Sequence, residues 1–333
     1  MNSVQKARLT IKRIYVILSA FLYTKNWKAA YLLSKHPNNY NKKSLTGIRW
    51  TGNGFQFGQN DFELNLHHTG TLGADFGLIK KMMSIGKFRY FNNDLLFKIL
   101  VTTPPIEVKI KNWDILSLTY DLFIKGEYDI STYADKLLTV IDVGMNVSLA
   151  GLYFASYQNI NRVYGFEPLP ANFNLAIENI KLNPLLEQKI RPYNHGLARE
   201  EKIIELDYSN EGDLGFSTSD FVLQQKESKK NGTRLKARIS LKKASEEIKR
   251  IVSENYNGMF FLKLDCEGAE YEVVQSLAEE NLLRKIFLIH IEWHYKGPEM
   301  LKERLLENHF EIIEEVRHSN NYTGLLKAIN NEK

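Results

Sequence analysis

The sequence predicts an α/β protein built on a doubly wound, mainly parallel sheet, preceded by a helical and small-β N-terminal extension. Three observations predict it. From Leu137 onward, short apolar runs alternate with amphipathic segments of about ten to fifteen residues, the pattern of strands joined by right-handed helical crossovers. Acidic and small residues recur where those apolar runs stop, as in "VIDVGMNVSLAG" (Val140 to Gly151) and "VYGFEP", and open α/β sheets bind ligands at those ends. Before "TTPP" (Thr102 to Pro105) that regularity is missing. The expected division is therefore an extension over residues 1–104 and a main domain over 105–333.

The extension begins as a basic arm. Its first sixty residues hold ten Lys/Arg and no Asp or Glu, so within a net charge of +5 the rest of the chain sums to about −5. Such an arm suits an anionic neighbour: a membrane surface, a phosphate-bearing carrier or nucleic acid. It is equally consistent with a solvated basic helix. Inside it, "IYVILSAFLY" (Ile14 to Tyr23) is apolar but far short of the roughly twenty residues a bilayer span needs. Nor does a clear small-residue cleavage site follow, as a signal peptide requires. Two readings stay open, a helix packed on the body and an interfacial helix lying on a membrane. The helix should run over residues 1–40 and stop near "KHPNN", where Pro37 ends it. Gly and Asn punctuate residues 44–71 into small antiparallel strands, and Phe76 to Leu100 reads as helical in part.

The main domain then follows in order. "IEVKIKN" alternates like a strand, and "WDILSLTYDLFIKGEYD" has helical spacing with Asp114 as its cap. Next come strand "LLTVIDVG", helix "LAGLYFASYQNI", strand "RVYGFEP", helix "LPANFNLAIENIKLN" and strand "KIRPYNHGLA". A polar stretch to about Lys236 leads to "LKARISL" and the helix "KKASEEIKRIVSENY". The chain closes with strand "MFFLKLDCEG", helix "AEYEVVQSLAEENL", strand "KIFLIHIEWH", helix "GPEMLKERLLENH" and two strands, "FEIIEEVR" and "TGLLKAI". The single cysteine, Cys266, excludes an intramolecular disulfide and a CxxC metal motif, making a reducing, cytoplasmic setting the expectation.

Candidate site residues gather at the strand ends. Asp142 and Gly144 end the first strand of the repeat and Glu167 the second. A glycine lets a cofactor approach the backbone, and an acid at the second strand accepts from ribose hydroxyls. The alternative for Glu167 is a cap on the helix that follows Pro168. The GxGxxG fingerprint that cradles a pyrophosphate is absent, so an adenosine cofactor without phosphates, such as S-adenosylmethionine, is favoured over a nicotinamide. Lys263, Asp265 and Glu267 should share one strand face and Phe260, Leu262, Leu264 and Cys266 the other. His290, Glu292 and His294 should share a face of the next strand. Asp265 or His294 could accept a proton from a hydroxyl nucleophile. The set His290, Glu292, His294 is also a possible, though undiagnostic, divalent-metal group. Charges here could equally cap helices or pair with Lys263.

"VIDVGMN", "VYGFEPLPANFNLAIENIKLN", "FLKLDCEGAEYEVVQSL" and "IHIEW" resemble, in order and spacing, the FkbM-type S-adenosylmethionine-dependent methyltransferases. The resemblance covers roughly Ile106 to Ile329. It implies a class I methyltransferase (Rossmann-like) sheet of seven strands, the last antiparallel, and O-methylation of sugar or natural-product hydroxyls. By matching position it implies cofactor contacts from Asp142, Gly144, Asn146, Ser148, Glu167, Pro168, Asn172 and Asp265. The "D-x-E-G" of Asp265, Glu267 and Gly268 lies where the methyl group is delivered, so that Asp265, His294 and Glu267 are the catalytic candidates. "GDLGFSTS" (Gly212 to Ser219) resembles the family's small-residue loop over the site. Where the family usually has "D-x-G-A-N-x-G", this chain has Met145 for the alanine and Ser148 for the second glycine. The expected acceptor is a carbohydrate or other hydroxyl-bearing molecule, carrier-linked at a membrane if the basic arm docks there. No nucleic-acid partner is expected, since the aminomethylase "[DN]-P-P-[YF]" is replaced by "DCEG". A non-catalytic binding protein that kept the fold is the alternative.

Overall fold

The computed structural model describes the backbone of residues 3–40, 42–58, 62–209, 234–255, 258–319 and 321–332. The chain divides into two compact units, Met1–Glu127 and Tyr128–Lys333. The boundary expected between residues 104 and 105 thus falls inside the first unit.

In the first unit, the helix expected over residues 1–40 is two helices, Ser3–Thr24 and Trp27–Ser34. The break has a local cause. Lys25 adopts a left-handed backbone (φ 52°), and the Asn26 side chain accepts from the Ala29 N–H at 3.0 Å, capping the second helix. Strands β1 (Ile48–Trp50), β2 (Gly54–Phe57) and β3 (Glu63–Asn65) form the expected small antiparallel sheet. The end of the stretch expected to be strands is instead a short helix, Leu66–Thr71, and within Phe76 to Leu100 the helical part is Phe76–Met83. The rest of that stretch is a hairpin of β4 (Gly86–Phe91) and β5 (Asp94–Ile99), which β6 (Ile106–Lys109) joins antiparallel. Asn92 and Asn93 turn the hairpin with φ of 48° and 65°, a conformation asparagine tolerates better than most residues. In the helix Trp113–Tyr120 the cap is Asn112, which accepts from the Ile115 N–H at 3.0 Å; Asp114 lies in the first turn.

The second unit holds the seven-stranded sheet. Its strands are β7 (Leu138–Val143), β8 (Ile160–Phe166), β9 (Ile190–Tyr193), β13 (Met259–Leu264), β14 (Ile286–His294), β15 (Phe310–Arg317) and β16 (Thr323–Asn330). They are ordered β15-β16-β14-β13-β7-β8-β9, with β16 antiparallel to both neighbours. This is the class I methyltransferase arrangement. The chain winds outward from β7 through β8 to β9, then restarts on the other side at β13, making β7/β13 the switch point where such sheets bind ligands.

All six residues of β7 are buried, as a central parallel strand covered on both faces must be. Alternation splits them. Ile141 and Val143 join Leu262, Leu264, Ile289, Ile291 and Trp293 in a core with the helices Ala244–Glu254 and Glu270–Glu279. Full burial of each such aliphatic side chain contributes about 1.5–3 kcal/mol. The opposite face carries a polar row. Register places Asp142 beside Lys263, Lys263 beside His290, and His290 beside Lys327.

Three expectations need correction. "KIRPYNHGLA" is not one strand: β9 stays in the main sheet, while β10 (Gly196–Ala198) pairs with β12 (Arg234–Lys243) in a separate three-stranded sheet. The third strand of that sheet, β11 (Lys202–Ser209), occupies the start of the stretch read as polar connection, and it pairs antiparallel with β12. Finally, β13 ends at Leu264, so Asp265 and Glu267 lie in the turn beyond it. Glu267 and Gly268 have φ of 56° and 107°, and strand alternation no longer governs their directions. The segment Gly212 to Ser219 lies outside the described residues.

Candidate active site

The turn from β7 into the helix Leu149–Ser156 is built on backbone conformation. Gly144, Asn146 and Ser148 all have positive φ (84°, 53° and 62°), so every second residue is left-handed. Glycine and asparagine adopt that region readily, while serine does so at a cost of about 1–2 kcal/mol. Gly144 is required for a further reason: a Cβ there would lie 1.8 Å from the Asp265 carbonyl oxygen. The glycine therefore brings two strand ends of the protein together, beyond any room it leaves for a ligand.

The two departures in this motif have different physical status. Met145 is buried, and its side chain lies over Gly165 of β8, where a Cβ would meet the Met145 Sδ at 2.3 Å. The larger residue at 145 is matched by an absent side chain at 165. Ser148 is wholly buried and caps nothing with its side chain. A Cβ on Gly151 would meet Ser148 Oγ at 2.7 Å and Asp142 Oδ2 at 3.8 Å. Serine oxygen and aspartate thus flank one point at the start of the helix.

Glu167 fastens this turn to the next. Its Oε2 accepts from the Asn146 N–H at 3.0 Å and its Oε1 from the Leu169 N–H at 2.9 Å. Burial raises its pKa to about 7, and those two N–H groups oppose the rise. Both sequence readings of Glu167 have a place, since it ties down the entry to the helix Pro170–Lys181 and still has unused lone pairs. Pro168 sits in that entry, half-buried, and Asn172 is buried in the helix.

At the end of β13 a cluster of one lysine and two carboxylates forms. Lys263 is buried, with its Nζ 3.0 Å from Asp142 Oδ1 and 3.6 Å from Asp265 Oδ2, and it donates to the Gly144 carbonyl at 2.9 Å. Burial alone would lower the lysine pKa, but the Asp142 and Asp265 charges outweigh it and push it up. The two carboxylates differ in access. The Asp142 side chain is 0% exposed and that of Asp265 26%. The Tyr128 hydroxyl donates to Asp265 Oδ2 at 3.3 Å, and its ring lies 5.7 Å under the lysine ammonium.

A second cluster lies one strand over. His294 Nδ1 is 2.5 Å from Oε1 of Glu270, a fully buried carboxylate whose Oε2 accepts from the Gly268 N–H at 2.5 Å. Glu267 and Glu292 approach His294 Nε2 at 3.9 and 4.0 Å. Burial would lower the His294 pKa, but Glu270 above all, then Glu267 and Asp265, raise it to about 10. The Glu270 pair thus favours the imidazolium, which donates a proton rather than accepting one, the reverse of what the base role expected of His294 needs. His290 is separate, packed against Phe261 and Tyr128 and lowered to about 3 by burial and then Lys327. It does not join Glu292 and His294, and among the described residues no group of three or more His, Cys, Asp or Glu could hold a metal ion. Cys266 packs against the core cluster, as expected.

Sequence reasoning missed Tyr128 and gave Glu270 no role in the site. Tyr128 stands outside every motif and reaches Asp265 only through the fold. Glu270 carried a signal, an acid just past the glycine turn, which reads equally as a helix-start residue. Together the turns leave three buried side-chain atoms, Asp142 Oδ2, Asn146 Oδ1 and Ser148 Oγ, with no hydrogen-bond partner among the described residues, while Asp142 Oδ1 is held by Lys263. Native interiors satisfy nearly all such atoms, so this concentration fits a polar ligand at the switch point, and the residues present suit S-adenosylmethionine.

Comparison with known proteins agrees with the fold. The Methyltransferase FkbM domain model matches residues 142–322, more than half of the chain. Methyltransferase 1 of Beauveria bassiana is 25% identical over 168 residues, covering 48% of this chain and 66% of that protein. Methyltransferase sdnD of Sordaria araneosa is 23% identical over 207 residues, covering 56% and 78%. Among solved structures, methyltransferase FkbM from Methylobacillus flagellatus overlaps at a TM-score of 0.39 and 14% identity, covering 63% of this chain and 47% of that one. M. capricolum TrmK in complex with S-adenosylhomocysteine overlaps at 0.33 and 12%, covering 61% and 68%. The chain spans about half of the FkbM structure and just under two thirds of the Beauveria protein.

Proposed function

The chain belongs to the FkbM methyltransferase family, and from that premise we propose that it methylates a hydroxyl oxygen of a sugar, glycan or similar small acceptor, using S-adenosylmethionine. The observation that carries this reading is the placement of Asp265. It is the solvent-accessible carboxylate of the lysine cluster, and its backbone abuts the Gly144 turn.

S-adenosylmethionine, when bound, supplies a methyl carbon made electrophilic by its sulfonium sulfur. Asp142 Oδ2, Asn146 Oδ1 and Ser148 Oγ would hold it, and Glu167 through lone pairs left free by its two N–H contacts. Asp265 accepts the hydroxyl proton as the acceptor oxygen gains its methyl group. Tyr128 and Lys263 fix the direction of that carboxylate. The imidazolium of His294, clamped by Glu270, sets a positive charge beside Glu267 at the site's edge. Holding the nucleophile in line supplies most of the acceleration, and proton acceptance typically adds about 10²–10⁴-fold.

Calorimetric titration with S-adenosylhomocysteine and a methyl-transfer assay over a sugar panel test this. Wild type and Asp265→Asn should both bind the nucleoside, while transfer falls about a hundredfold or more in the variant, well beyond any loss of binding. Absence of binding heat from folded wild-type protein would sink the enzymatic reading and favour a non-catalytic binding protein.

A further inference from the structure

The helix Ser3–Thr24 has two opposite faces that are both apolar. Val16, Ala20 and Thr24 are buried. On the other side Ile11, Ile14, Tyr15, Leu18 and Leu22, at helical three- and four-residue spacing, are 53–68% exposed. An exposed apolar stripe of this length is rare on a monomer unless something covers it. The next helix continues the pattern, with Trp27 and Tyr31 one turn apart at 59% and 61% exposure. The Phe21 and Trp27 rings stack at 3.8 Å and join the two helices.

Around the apolar side chains stand exposed cations: Arg8, Lys12, Arg13, Lys25, Lys28 and Lys35. No Asp or Glu occurs in the first sixty residues, so no acid of that stretch neutralises them. We propose that this face is a docking surface for an anionic lipid bilayer, lying in the headgroup plane with the stripe dipping into the acyl boundary. Lys12 and Arg13 interrupt the apolar run, and no described helix is long and apolar enough to cross a membrane. Tryptophan and tyrosine are residues that settle at the headgroup level, and a basic helix with an apolar face lies in the interface plane. The charge selects this occupant over a second copy of the chain, because self-association through this face would bring two uncompensated sets of cations together.

The test is sedimentation of the full chain with phosphatidylcholine vesicles, with and without phosphatidylglycerol. Wild type should pellet with the anionic vesicles at low salt, at least about tenfold more weakly with the neutral ones, and progressively less as salt screens the attraction. The double variant Ile14→Asp/Leu18→Asp should lose pelleting while melting at the wild-type temperature, since both positions are exposed. Lys28→Glu/Lys35→Glu should weaken pelleting about tenfold without touching the stripe. Equal binding to neutral and anionic vesicles, no pelleting of wild type, or a stripe variant that changes the light-scattering mass instead of lipid binding would each overturn the proposal.

Discussion

His290 and His294 lie on the same strand and, by alternation, on the same face, yet the protein drives them in opposite directions. In the middle of the sheet His290 meets aromatic rings and the lysine beside it on the next strand, and burial then Lys327 lowers it to about 3. At the carboxyl edge His294 is buried almost as deeply, but Glu270 and its acidic neighbours raise it to about 10. Burial decides the sign only where no countercharge is in reach. On this strand the middle position thus keeps its histidine neutral, and the end position keeps its histidine charged.

Exchanging each ring for phenylalanine is the strongest way to break this contrast. His294→Phe leaves Glu270 buried with no countercharge and should cost about 3–5 kcal/mol in chemical denaturation. His290→Phe places one ring among others and should change stability by less than about 1.5 kcal/mol. Equal costs for both would mean that the edge pair is not ionised.

The pH profile of stability sharpens the same contrast with opposite signs. The raised pKa of His294 gives stability that is full below its ordinary 6.5 and is lost as pH rises toward about 10. The lowered pKa of His290 does the reverse, since its contribution holds above 6.5 and disappears as pH falls toward about 3. Denaturation across that range should show Glu270→Gln flattening the alkaline limb and His290→Phe flattening the acid limb. If either variant reshapes the other limb, the two histidines are coupled and the division between centre and edge is false.

Ser148→Gly carries the smallest expected effect and extends the contrast from charge to backbone. Relieving a left-handed serine should stabilise by about 1 kcal/mol, a rise of about 2–4 °C in melting temperature. A fall instead would show that the buried hydroxyl is stabilised where it stands.

Much of the main sheet was legible because alternating strand and helix patterns of ordinary length report local periodicity, and periodicity follows from the chain alone. β11 escaped because "KIIELDYS" mixes charges into its alternation, and its partner β12 lies across a long insertion. The break at Lys25 was equally hidden, since an apolar run on either side reads as one helix. At the site, acids at strand ends were visible as acids. Their assignments depended on pairing, as Tyr128 and Asp265 stand 137 positions apart, and no local pattern links them. Ser148 was visible as a departure from the glycine pattern, but the reason the position favours glycine is an angle that only the folded turn supplies.

The left-handed turn at Gly144, Asn146 and Ser148 is tied down on several sides. Gly144 and Met145 N–H both donate to the Phe166 carbonyl, Asn146 N–H to Glu167, and Asn179 Nδ2 to the Val147 carbonyl. A loop fixed this way by its own protein has little conformational freedom left to surrender when a ligand arrives, and ordering entropy is a main drain on affinity. Recognition at this turn should then resemble docking to a mould already cast. The calorimetric signature should be a small heat-capacity change set by ligand burial alone, without the large contribution that loop folding adds.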